Sequence, residues 1–303
     1  MADKSLIENN DFPCNDLPHF CITRICHPRR LAETATNRRA RRHRAMDRFL
    51  HRRHRLRADC GVLRPAALVS LAAFGGAAYV AITSKPKSLQ SYFFGICTAL
   101  LALGLALHRL PGFNNPLIIA NTTLSVGAAA FSQYANFDKG SAGLILLALL
   151  CRRAETAPEW GSLFKQTWPV ALVTIAAVLG LATCIAYVKP DLKFTQVSAL
   201  FLATNLFFTV VAEEAFFRGL LQDRLALSLA NVRFGRSAAI VCSALLFGAA
   251  HAAGGGVYVM LATLAGFGYA YAYHLTRRIE APIIVHFAVN AVHFIGFTYP
   301  HLN

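Results

Sequence analysis

From residue 65 onward the chain is a succession of long apolar runs separated by short polar breaks. The runs are continuous rather than alternating, so they predict membrane-spanning helices and not the strands of a membrane barrel. Spans are expected at about Pro65–Thr83, Leu89–Leu107, Leu117–Tyr134, Trp168–Val188, Val197–Leu221, Ser237–Ala250, Val257–Leu275 and Pro282–Phe297. A further run, Ala142–Cys151, is marginal for crossing and reads as a short or re-entrant helix. The amphiphilic stretch Arg152 to Gln166 is expected at the interface, and the breaker-rich HRLPGFNNP, His108 to Pro116, as a loop.

Composition sharpens this picture. The chain is 55% hydrophobic and 15% charged, which excludes a soluble domain. The fold class is all-α: a polytopic membrane helical bundle of about eight or nine transmembrane helices with a basic N-terminal tail. Residues 1–64 read as a disordered cytoplasmic tail and residues 65–303 as the transmembrane domain. Met46 offers an alternative start, which would make residues 1–45 an appended segment.

The net charge of +15 is concentrated in the tail, where Arg38 to Arg57 is dense in arginine. The tail reads as a positive-inside signal that touches anionic membrane lipid; no nucleic-acid partner is expected. With the tail inside, nine crossings place nine basic loop residues inside and five outside, Lys139 among the latter. A bacterial cytoplasmic membrane with the N-terminus on the cytoplasmic side is the expected location. The eight cysteines form no C-x-x-C pair and read as ordinary thiols.

Chemistry is concentrated in VVAEEAFFRGLLQ, Val210 to Gln222. Each ionisable group at membrane depth costs roughly 2.5–3.5 kcal/mol to insert, so such groups are expected to be paired and functional. Glu214 and Arg218 are four apart and share a helix face. Glu213 projects about 100° away, without a local cation, and needs a partner from another helix. His251, at the end of FGAAH, and His286 with Asn290, in HFAVN, are the candidates. Counted at about 1.5 Å per residue from the flanking arginines, Glu213, His251 and His286 fall within roughly 10 Å in depth. They can form one intramembrane cluster, expected to open towards the cytoplasmic half. Asn205, two turns before Glu213, is a further candidate neighbour.

Together EEAFFR, FGAAH and HFAVN resemble the motifs E-E-x-x-x-R, F-x-x-x-H and H-x-x-x-N/D of the CAAX-protease and bacteriocin-processing (Abi) family of intramembrane proteases. The resemblance covers about residues 205–290. It implies endopeptidase chemistry on a peptide or protein substrate that reaches the membrane. Glu213 would activate water with His251 beside it, Glu214 and Arg218 would brace the helix, and His286 and Asn290 would bind the oxyanion. If a divalent metal such as zinc takes part, Glu213, His251 and His286 are its ligand set; no H-E-x-x-H occurs. Two other functions use the same residues: a non-catalytic membrane scaffold, and a proton or solute transporter with a buried Glu/His relay.

Overall fold

A computed structural model describes residues 61–85 and 88–302. The tail assigned to residues 1–64 therefore lies almost wholly outside the described residues. Among these there are eight helices: α1 (Pro65–Thr83), α2 (Leu89–Ala106), α3 (Phe137–Leu149), α4 (Ala157–Cys184), α5 (Ser198–Ser228), α6 (Gly235–Ala249), α7 (Gly255–Thr276) and α8 (Glu280–Gly296). Five of them, α1, α2, α4, α5 and α7, are long and apolar enough to cross a membrane by length and composition. The protein is a mostly helical membrane bundle.

Local signals set the helix ends. Proline stands in the first turn of α1, where its missing N–H costs nothing. The Ser88 hydroxyl accepts from the Ser91 amide and caps α2. Thr156 caps α4, which then runs unbroken through Pro169. The amphiphilic stretch Arg152–Gln166 and the span Trp168–Val188 thus merge largely into one helix.

The expected span Leu117–Tyr134 is not a helix. It is an antiparallel hairpin of β1 (Leu117–Thr122) and β2 (Phe131–Tyr134), with Leu117 opposite Tyr134 and Thr122 opposite Phe131. Val126, in the connection, is 96% exposed. The run is apolar enough to pass for a span, but Asn121, Ser125 and Gly127 break it at its middle; Asn121 and Gly127 have positive φ.

Converting one span into a hairpin changes the parity of the crossings. The hairpin shares one side with the start of α1, where Arg64 N donates to Gly112 O, and with the α4–α5 loop and the C-terminal segment, where Ala129 N donates to His301 O and Lys193 N to Ile295 O. The opposite side is tied by Arg277–Asp223, Arg278–Glu159 and Ile279 N to Arg152 O. Residue 61 therefore lies with the hairpin, and Arg152, Arg233, Arg277 and Arg278 lie away from it. In a cysteine-free background, impermeant maleimide should label cysteines at Leu63 and Val126 from one face of the membrane and at Arg233 from the other. A membrane-embedded, unlabelled Val126 would contradict the hairpin.

α5 stands between two apolar cores. Ala215 and Leu220 pack with Phe74, Leu105 and Leu146 of α1 to α3, while Phe217 packs with Leu163, Phe247, Tyr269 and Val285 of α4, α6, α7 and α8. Glu213, Glu214 and Arg218 of α5 are thus enclosed on both sides.

Candidate active site

Helix α5 is irregular where its charges sit. Two π-helical stretches, Asn205–Val210 and Ala215–Gln222, flank one α-turn, Val211–Glu214. Such wide turns forgo regular hydrogen bonding and are frequent at functional sites. Glu213 and Glu214 both lie in the α-turn, and they meet different partners.

Glu214 and Arg218 are both fully buried. Arg218 Nη1 donates to Glu214 Oε1 at 3.4 Å, and Nε stands 3.2 Å from Oε2 without the alignment of a hydrogen bond. Nη2 donates to the Gly266 carbonyl at 3.0 Å, and the guanidinium lies 4.8 Å from the centre of the Phe247 ring. Glu214 also has a second partner: its Oε1 lies 2.7 Å from His286 Nδ1. An ionised carboxylate only accepts, so Nδ1 carries the proton of this contact and Nε2 is the free end of the ring. Tyr269 stacks on the imidazole at 4.4 Å and 12°, fixing its plane.

Glu213 is held from elsewhere. Its Oε1 accepts from Lys139 Nζ at 2.5 Å, and its Oε2 is 3.9 Å from His286 Nε2 with no hydrogen-bond partner. The expected pair with His286 is thus present but long, and two contacts are added to the expectation: the close cation is a lysine on α3, and the short histidine contact belongs to Glu214. Lys139 is also not a loop residue that counts towards charge bias. It lies in the first turn of α3, with a side chain 19% exposed.

The placement of Lys139 follows from a close helix crossing. A Cβ built on Gly143 would lie 2.4 Å from Ala212 Cα, and one on Gly140 would lie 2.8 Å from the Phe208 ring. Only glycine lets α3 approach α5 so closely. The start of α3 is also fastened: buried Asp138 lies 2.7 Å from His108 Nδ1 and accepts from Asn115 Nδ2 at 3.0 Å, both from the HRLPGFNNP loop. Gly143→Val should push α3 off α5 and part Lys139 from Glu213, costing about 1–3 kcal/mol by overpacking. Thermal unfolding in detergent measures the cost, and an unchanged melting temperature would contradict the tight crossing.

The remaining candidates share one cavity of about 460 Å³ with Glu213, lined by His251, His286, Asn290 and Asn205 among others. His251 Nδ1 lies 2.7 Å from the Phe247 carbonyl, which can only accept, so its Nε2 is again the free end. Asn290 Nδ2 donates to Asn205 Oδ1 at 3.1 Å, which leaves its second N–H free. The cavity wall also includes β2, Tyr187, Val188, Gly254 and Tyr299 to His301, all from the hairpin side. The expected opening on the side of Arg224 and Arg278 is therefore replaced by one at the opposite end.

Among the described residues, no group of three His, Cys, Asp or Glu side chains is arranged to hold a metal ion. Glu213 Oε1 is already bound by an ammonium, whose charge opposes a dication beside it. The set Glu213, His251 and His286 thus does not fit a zinc ion. Sequence reasoning missed Lys139 and Tyr269. The glycine spacing after Lys139 was a usable sign of a helix crossing, whereas nothing separates Tyr269 from its apolar neighbours.

No curated protein and no solved structure matches this chain. A family model described as Type II CAAX prenyl endopeptidase Rce1-like matches residues 195–292. That span runs from just before α5 into α8 and contains all three motifs. The part of the chain that carries Glu213, Glu214, Arg218, His251, His286 and Asn290 is thus similar to the Rce1-like type II CAAX prenyl endopeptidases, the family its motifs resemble.

Proposed function

We propose that this protein is an intramembrane endopeptidase that hydrolyses a membrane-associated peptide or protein with water activated by Glu213. The observation that carries the reading is Glu213 itself: one oxygen is neutralised by Lys139, and the other is buried, unpartnered and 3.9 Å from His286 Nε2. A water beside that line reaches both atoms at ordinary hydrogen-bond length. Oε2 takes its proton, and the hydroxide adds to the scissile carbonyl carbon.

Negative charge then develops on the carbonyl oxygen. The free N–H of Asn290 donates to it, and so does His286 Nε2 when the ring is protonated against Glu214. On collapse of the adduct, Glu213 returns its proton to the leaving amine. His251, with Nε2 free in the cavity, orients the attacking water from a second direction. Glu214 and Arg218 act through His286 and are positioning residues. No metal enters these steps, so a chelator is expected to leave the rate unchanged.

Lys139 is the positioning residue for Glu213. Its ammonium offsets the carboxylate charge in an apolar surround and fixes its rotamer, so that Oε2 faces the cavity. Lys139→Met should lower kcat roughly 10²-fold, by loss of a charge-assisted contact, with KM little changed, whereas Lys139→Arg should restore much of the rate. Equal loss in both variants would contradict this role.

The basic tail supports a bacterial inner membrane with the N-terminus cytoplasmic. The test of the function is purified protein in liposomes with a fluorogenic peptide ending in an S-farnesylated cysteine tetrapeptide. Cleavage that persists with chelator is expected. Peptide left intact by folded protein would overturn the reading.

A further inference from the structure

The cavity beside Glu213 has a wall that the chemistry above does not use. All four residues of β2, Phe131, Ser132, Gln133 and Tyr134, line it in unbroken succession, and no residue of β1 does. A strand that presents a face contributes alternate residues, because successive side chains point to opposite faces. Four in a row mean that the strand borders the cavity with its edge. β1 occupies the other edge of β2.

Just upstream of β2 the chain already accepts a strand-like partner. Ala128 bridges Leu302 in antiparallel register, and Ala129 N donates to the His301 carbonyl. There the added chain turns away: Tyr299 N donates to Ser125 Oγ and Thr298 N to the Lys189 carbonyl. From Phe131 onward the edge faces the cavity. The Gln133 side-chain oxygen, in the same wall, is buried without a hydrogen-bond partner.

A peptide inside the membrane presents a physical problem that such an edge solves. Its scissile carbonyl must leave any helix to be attacked, and freed backbone groups in an apolar surround cost several kcal/mol each. A strand edge supplies matching donors and acceptors whatever the side chains.

We propose that the open edge of β2 takes an extended segment of the peptide substrate as an added strand and presents its scissile bond to Glu213. This rests on the endopeptidase reading. The ligand is an extended backbone with N–H groups at alternate positions, so a proline or N-methyl group at such a position is excluded. Gln133 then finds a backbone N–H of the added strand as its donor.

The experiment leaves the protein unaltered and methylates single backbone nitrogens of the S-farnesylated peptide, assayed in liposomes. Methylation at every second residue beside the cleaved bond should raise KM at least about fivefold, and the residues between should tolerate it. Uniform tolerance, or loss without alternation, overturns the strand while leaving the endopeptidase reading intact. The second measurement needs no turnover: carbon-13 carbonyl labels in the peptide are read by infrared spectroscopy on the Glu213→Gln protein. A labelled band at the sheet position supports the proposal even if the peptide is not cut. A band at the helical or free position overturns it.

Discussion

Glu213→Gln is expected to lower kcat by about 10² to 10⁴, the range a positioned general base contributes. The substitution keeps the shape of the side chain and removes the group that takes the proton from water. It also leaves the Lys139 ammonium facing a neutral amide instead of a carboxylate 2.5 Å away. Some destabilisation therefore accompanies the loss, and rates must be normalised to folded protein. Because substrate contacts lie on other residues, KM should change little. Glu214→Gln differs in kind. It weakens the hold on Arg218 and His286, so its loss of activity should be accompanied by loss of fold. Similar kinetics with similar stability for the two variants would contradict the division of labour between the adjacent carboxylates.

Arg218→Met is expected to destabilise the protein by about 3–5 kcal/mol, read as a lowered unfolding midpoint in detergent. Methionine fills much of the volume between Phe247 and Tyr269 but leaves Glu214 buried with only His286 beside it. The Gly266 carbonyl also loses its donor, and with it part of the tie between α5 and α7. The cost comes from an uncompensated buried charge more than from a lost contact, so Arg218→Met combined with Glu214→Leu should recover part of it. Full additivity of the two substitutions would show that they do not interact.

The membrane bundle was legible because a span needs only a continuous apolar run, and α1, α2, α6, α7 and α8 fall within a few residues of their expected limits. The hairpin was not legible, because Leu117–Tyr134 is as apolar as a span and its short strands give little room for alternation. Its turn signals, Asn121, Ser125 and Gly127, are each tolerated singly in a membrane helix. The pairing of Glu214 with Arg218 follows from helical spacing alone. The partner of Glu213 does not, since Lys139 lies 74 residues earlier, on a helix brought close by Gly140 and Gly143. Helical spacing also cannot say that His286 turns Nδ1 to Glu214 and leaves Nε2 for the cavity. That depends on the register of α8 against α5 and on the ring of Tyr269.

If Glu213 drives peptide-bond hydrolysis in the membrane, protein N-termini will differ between membranes of cells carrying the wild-type chain and those carrying Glu213→Gln at equal abundance. A discrete set of new N-termini, arising in or beside membrane segments, is expected with the wild type and absent with the variant. Identical sets of N-termini in the two membranes would contradict it.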